Sequence, residues 1–147
     1  MNISLAAITK DNWEEAIELK VKEDQRSFMA SNLYSIAESK FLDNFYTFGI
    51  YLEKQMVGFC MFGIDPDDGN YWVYRLMIDE NHQGNGLGTQ SVRLIIEHIR
   101  KHHSNNIPLI MIGYHPNNIG AKFTYKKAGF TETEIAPWGE QLAQFTL

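Results

Sequence analysis

Three glycines at alternate positions, Gly84, Gly86 and Gly88, stand between two segments of opposite hydrophobic rhythm, and this junction leaves few folds open. Upstream, residues 71–78 form an aromatic and β-branched run that reads as a buried strand. Downstream, Val92, Ile95, Ile96 and Ile99 fall at i, i+3, i+4 and i+7, the single apolar stripe of a helix packed on a sheet. Closely spaced glycines at such a turn let backbone N–H groups approach a ligand. The helix N-terminus adds unpaired donors and roughly half a positive charge, so a pyrophosphate is held without many cationic side chains. The spacing is not GxGxxG at a first βα turn, and no Lys-Ser/Thr pair follows, so neither a Rossmann fingerprint nor a P-loop is present. The bland alternative is a glycine-rich turn that merely enters a helix.

The remaining segments surround this junction. Asp11 followed by Glu14 predicts a capping-box variant opening a helix with Trp13, Ala16, Ile17 and Val21 on one stripe. A polar stretch, residues 22–27, separates it from a second helix that follows Ser31 and carries Leu33, Ile36, Ala37 and Phe41. The two helices are expected to form a lid. Residues 45–52, 56–64 and 71–78 read as an antiparallel meander, broken at Glu53, Lys54 and Gln55 and again at residues 65–70 by turn chemistry. After the glycine-led helix come a buried strand at residues 107–114 and a short helix from about Asn118 to Lys127. Gly129 then stands where a left-handed C-cap is expected, before strands at residues 130–136 and 141–147. The order is β-α-α-β-β-β-α-β-α-β-β, an α/β (α+β) arrangement. No repeat or linker divides it, so residues 1–147 read as a single domain.

Charge and composition exclude several classes. A formal charge of −5, with no basic cluster beyond residues 100–103, argues against nucleic-acid partners and suits cationic substrates. The first ten residues, from Met1, lack the basic start and apolar run of a signal peptide, and no stretch reaches the ~18 apolar residues of a membrane span, so a cytoplasmic protein is expected. Cys60 is the sole cysteine; it lies in an apolar run and reads as an inert core thiol, with no internal disulfide possible. His82 is expected to face solvent. His98, His102 and His103 have no metal-ligand companions in the sequence, and no metal is expected.

The segment Gln83, Gly84, Asn85, Gly86, Leu87, Gly88 resembles the acetyl-CoA signature of the GNAT acetyltransferase superfamily, Gln/Arg-x-x-Gly-x-Gly/Ala, placed after the fourth strand as in that family. Residues 118–130 resemble its Asn-x-x-Ala-x-x-x-Tyr-x-x-x-Gly-Phe segment, with Asn118, Ala121, Tyr125, Gly129 and Phe130 in the fixed positions. Residues 71–79, with 35–38 and 138–140, are also similar to the bacterial spermine/spermidine acetyltransferase branch. The resemblance implies a central, mixed, mostly antiparallel sheet of about seven strands flanked by four helices, and acetyl-CoA as acetyl donor.

It also implies roles. A bulge in the fourth strand splays it from the fifth, so that Leu76, Met77 and Ile78 pair with the pantetheine arm; their side chains alone read as core. Gly84 to Thr89 donate N–H groups to the pyrophosphate. Asn118 binds the pantetheine arm, although alone it is equally a helix cap. Lys127, or its neighbour Lys126, reaches the 3′-phosphate, although lysines late in a helix are usually solvated. Tyr125 is the catalytic residue: direct attack of an amine on a thioester builds an oxyanion and expels a thiolate, which a phenol can protonate. By itself Tyr125 reads as a half-buried core aromatic. A backbone N–H of the fourth strand, that of Ile78, stabilises the oxyanion.

A general base is not identified. Tyr74 occupies the position where some diamine acetyltransferases carry a glutamate, which leaves Glu38 and Glu53 acting through water. The resemblance also implies that acceptors bind between the first two helices and the C-terminal strands, so Tyr34, Ser35 and Glu38 on one side and Trp138 with Glu140 on the other are expected to line the entrance. Carboxylates and rings suit a polyamine such as spermine or spermidine. Another small amine, an aminoglycoside, a protein N-terminus, or a non-catalytic acyl-CoA sensor stay open. C-terminal strands commonly build dimers in this family, and residues 141–147 offer an edge strand for a homodimer.

Overall fold

The computed structural model describes residues 2–102 and 106–147; Met1 and His103 lie outside the described residues. Among them the expected element order is found: β1 (Ile3–Ala7), α1 (Trp13–Glu18), α2 (Asn32–Ser39), β2 (Phe45–Leu52), β3 (Gln55–Ile64), β4 (Tyr71–Ile78), α3 (Leu87–His102), β5 (Leu109–Tyr114), α4 (Ile119–Ala128), β6 (Thr131–Ile135) and β7 (Gln141–Thr146). A 3-10 helix, Glu23–Phe28, lies between α1 and α2. The seven strands form one sheet in the order β1-β2-β3-β4-β5-β7-β6. All neighbours are antiparallel except β4 and β5. No helix among the described residues is long and apolar enough to cross a membrane.

The helical stripe lands where its period requires. Val92, Ile95, Ile96 and Ile99 of α3 are all buried, in one core with Val57, Phe62, Val73, Ile110 and Ile112. Each such side chain contributes about 1.5–3 kcal/mol on leaving water. Cys60 belongs to the same core, and burial pushes its thiol well above the usual range. Gly129 ends α4 in the left-handed conformation at φ +106°.

Five local expectations are corrected. Asn12 rather than Asp11 precedes α1, and its amide is spent upstream, accepting from Thr9 N at 2.7 Å and donating to Ala7 O at 3.1 Å. The helix ends at Glu18, so Val21 lies beyond it. In α2 the inward face is polar: Asn32 donates to Ala16 O at 2.9 Å and Ser35 to Ser31 O at 2.8 Å. Leu33 is consequently 55% exposed, and Phe41, two residues past the end of the helix, is 87% exposed. His82 faces the protein, its Nδ1 3.7 Å from an Asp79 carboxylate oxygen. Finally, β7 is not an edge strand: β5 and β6 flank it, and β6 is the edge.

Candidate active site

A cleft of about 630 Å³ opens where β4 and β5 part company. The two strands pair only through Tyr71, Val73 and the intervening Trp72, opposite Ile110, Ile112 and Met111. At the next residue the β3–β4 register slips: Phe62 faces Val73 while Met61 faces Arg75, which leaves Tyr74 as the bulged residue. The bulge turns the second half of β4 away from β5. Its hydrogen-bond phase follows from one contact, Asp79 N to Val57 O at 2.8 Å. Because bonded and non-bonded pairs alternate, Met77 and Arg75 exchange bonds with Phe59 and Met61. The N–H and C=O groups of Leu76 and Ile78 therefore point into the cleft.

The glycine loop closes one end. Gly84 and Gly86 have φ of +86° and +77°, and no atom lies within 4 Å of a Cβ built on either, so backbone conformation and not crowding selects glycine. Gly86 O accepts from Gln90 N, which starts α3. Leu87, Gly88 and Thr89 consequently present first-turn N–H groups, and that turn carries no acidic residue. All three line the cleft, as do Gln83, Gly84 and Gly86; Asn85 is exposed and does not. The Gln83 amide ties the loop to the end of β4 by donating to Ile78 O at 2.9 Å.

The opposite wall comes from β5 and α4. Asn118 caps α4, its Oδ1 accepting from Ala121 N at 3.1 Å, and lines the cleft with Lys127. Tyr125 is 8% exposed, stacked parallel to Tyr114 at 5.9 Å between centroids and edge-on to Phe130 at 5.5 Å. Burial raises the Tyr125 phenol above its ordinary value, with Cys60 and Tyr114 adding to the shift. It stays protonated through neutral and mildly alkaline pH. Its hydroxyl makes no hydrogen bond with any described residue.

The end of the cleft where the sequence reading places the acceptor differs from what it predicts. The 3-10 segment lies over the cleft instead of the two helices: Val21, Gln25, Phe28, Met29 and Ala30 line it. Gln25 and Gln83 exchange amide hydrogen bonds at 3.2 and 3.0 Å, and Phe28 packs on His115 at 5.2 Å, so the segment touches both banks. Tyr34 is 58% exposed and lies outside the lining, as does Ser35, which is wholly buried. Glu38 sits behind the wall, paired at 3.0 Å with Arg75, which does line it. The Arg75 Nε is buried without a partner. Glu53 occupies the β2–β3 turn at φ +55°. Glu140 lines the cleft and accepts from the exposed Trp138 indole at 2.7 Å. Arg75 and Gln25 were not singled out in the sequence, where one sat in a strand run and the other in a polar spacer. Among the described residues no three His, Cys, Asp or Glu side chains converge as a metal site.

Comparison with known proteins adds an independent line. Residues 6–130 match the acetyltransferase (GNAT) family. A spermine/spermidine N(1)-acetyltransferase of Bacillus subtilis (strain 168) is 31% identical over 136 residues, 88% of each chain. Among solved structures, an aminoglycoside acetyltransferase in complex with coenzyme A superposes with a TM-score of 0.80 at 17% identity, covering 99% of this chain and 95% of that one. A spermidine N-acetyltransferase from Vibrio cholerae, in complex with CoA and spermine, superposes with a TM-score of 0.76 at 14% identity, covering 98% and 95%.

Proposed function

Because the chain belongs to the acetyltransferase (GNAT) family, we propose that it transfers the acetyl group of acetyl-CoA to a primary amine of a polyamine such as spermine or spermidine. The observation that carries the reading is one continuous cleft. It joins unpaired first-turn N–H groups of α3, the outward backbone of Leu76 and Ile78, and the Tyr125 hydroxyl. The donor set fits the cofactor: two positive-φ glycines and a helix N-terminus for a diphosphate, and for an amide-bearing arm a strand edge on which, of the Leu76 and Ile78 groups, only the Ile78 carbonyl is already engaged, by Gln83. When bound, acetyl-CoA supplies a thioester carbonyl for the amine to attack and a thiol as leaving group.

The chain's own residues then divide the work. Leu76 and Ile78 hold the extended arm by backbone pairing, and the Ile78 N–H meets the charge that develops on the carbonyl oxygen. Tyr125, kept neutral by burial, gives its proton to the departing sulfur. The same burial makes the free phenol a weaker acid, so the transfer is favourable only while the thiolate charge lies within hydrogen-bond reach. Lys127 lines the same cleft as the glycine loop and is assigned to a further phosphate. Glu38 is assigned no base role, because Arg75 engages it; the amine proton leaves to water. Glu140 and the net charge of −5 favour a cationic acceptor, as does the 31% identity to a spermine/spermidine acetyltransferase. Residues 1–147 act as one domain, in the cytoplasm, and any homodimer forms through the exposed edge strand β6.

The test is thiol release from acetyl-CoA with spermine, spermidine, putrescine, an aminoglycoside and a short peptide. Selective turnover of the polyamines is expected. Equal turnover of the aminoglycoside or the short peptide would overturn the acceptor assignment, and tight acetyl-CoA binding with no turnover of any acceptor would overturn catalysis.

A further inference from the structure

Tyr125 is held less firmly than its burial suggests. Its ring and that of Tyr114 form a parallel pair. On one side the pair borders the active-site cleft. On the other it borders a second cavity of about 330 Å³, lined also by Lys122, Phe130, Glu132 and Ala143. A ring that borders a groove of this size has no protein atoms packed against that side, so packing alone leaves it room to swing. What fixes the pair is a single polar contact at the far edge of the sheet. The Tyr114 hydroxyl donates to Glu132 Oε2 at 2.6 Å, and the other Glu132 oxygen stands 3.8 Å from Lys122 Nζ.

We propose that Glu132, outside the cleft on β6, is a positioning residue for Tyr125, acting through Tyr114. The proposal rests on the acetyltransferase reading above and on Tyr125 as the acid. The geometry is a lever. Glu132 fixes the phenol end of Tyr114, Tyr114 supplies the flat face on which Tyr125 lies, and Phe130 closes the edge at 5.5 Å. Glu132 is well suited to anchor, because a carboxylate accepting from a neutral phenol forms a short, charge-assisted bond. The Lys122 contact adds little, since both side chains are 40% or more exposed. Cutting the anchor therefore relaxes Tyr114 toward the second cavity and takes the face from under Tyr125, while leaving the diphosphate loop and the β4 backbone in place. The loss falls on kcat and spares the KM for acetyl-CoA.

The experiment compares Glu132→Ala, Glu132→Gln, Tyr114→Phe and Tyr125→Phe with the parent, using whichever amine the parent turns over, and records melting temperatures to verify that each variant is folded. Glu132→Ala and Tyr114→Phe are expected to lower kcat about tenfold, within the range that displacing a catalytic group produces, with the acetyl-CoA KM changed less than twofold. Glu132→Gln keeps an acceptor oxygen for the Tyr114 hydroxyl and is expected to stay within about threefold of the parent. Placed on Tyr125→Phe, Glu132→Ala is expected to cost nothing further, because the proton it helps to aim is gone. Parent-like kcat in Glu132→Ala overturns the inference, as does a Glu132→Gln as slow as Glu132→Ala, or an undiminished effect on Tyr125→Phe. Failure of the underlying reading looks different: parent-like kcat in Tyr125→Phe, or no turnover by the parent at all.

Discussion

The two ends of the cleft are built on different principles. The end proposed for the diphosphate is made of backbone: positive-φ Gly84 and Gly86, the first turn of α3, and the outward edge of Leu76 and Ile78. The end proposed for the amine is made of side chains from distant parts of the chain: Gln25 and Phe28 from the 3-10 segment, Arg75 from β4 and Glu140 beside β7. A backbone site is fixed by local conformation and resists most substitutions except those that change φ. A side-chain site is fixed by pairwise contacts and can be retuned one residue at a time. One end thus suits a ligand that never varies, the other a ligand that differs between relatives.

Substitutions can break or sharpen this contrast. The largest effect is expected at the junction of the two ends: Tyr125→Phe should lower kcat by about 10²–10⁴ with acetyl-CoA affinity within twofold, as read by steady-state kinetics and calorimetry. A parallel fall in affinity would mean that Tyr125 belongs to the binding end. Next, Gly86→Ala forces a side chain to φ +77° at a cost of about 1–2 kcal/mol. Acetyl-CoA affinity should drop about 5–30-fold, whereas Asn85→Ala, one residue away and exposed, should leave it unchanged. At the other end, Glu38→Ala strands a half-buried Arg75 whose Nε already lacks a partner. It should lower stability by about 1–2 kcal/mol and the melting temperature by a few degrees, with acetyl-CoA affinity intact.

Alkaline pH tests the junction without mutation. Tyr114 and Tyr125 both have folded-state values raised by burial, so folding favours their protonated forms. That stability is fully present below pH 10, the unfolded value, and is lost as pH rises toward the folded values, by up to about 1.4 kcal/mol per pH unit for each phenol. Urea midpoints should fall above pH 10, and less steeply in Tyr114→Phe. The smallest effect is expected from Gln25→Ala, which breaks one amide pair with Gln83 worth about 1 kcal/mol. It should raise the acetyl-CoA KM a few-fold, because the 3-10 segment steadies the glycine loop through this pair.

The same contrast explains what was legible in the sequence. Glycine spacing, the α3 stripe, Ser31 as a cap and Gly129 as a left-handed stop are local signals whose physics is complete within a few residues, and each lies where expected. All seven strands and their order were readable for the same reason. Errors arose where a polar side chain chose a partner outside the helix it sits in or precedes. Asn12 serves Thr9 and Ala7 instead of the helix it precedes, and Asn32 turns inward to Ala16 while apolar Leu33 turns out. The placement of β7 inside the sheet depends on β6 folding back outside it, a long-range choice that alternation along one strand does not encode. Gln25 reaches Gln83 across 58 positions, and no periodicity announces that.

The bulge at Tyr74 has a mechanical side. With only residues 71–73 of β4 bonded to β5, the sheet is two half-sheets, one of four strands and one of three, joined along a short seam. A seam at one end of a wedge behaves as a hinge: a rotation of a few degrees there is magnified at the open mouth, while the strands within each half keep their bonds. On the proposed reading, a guest strand laid along Leu76 and Ile78 would supply the missing rung and brace the wedge it fills. Amide exchange at those two residues should be the fastest in β4 in the empty protein and the most strongly slowed by coenzyme A.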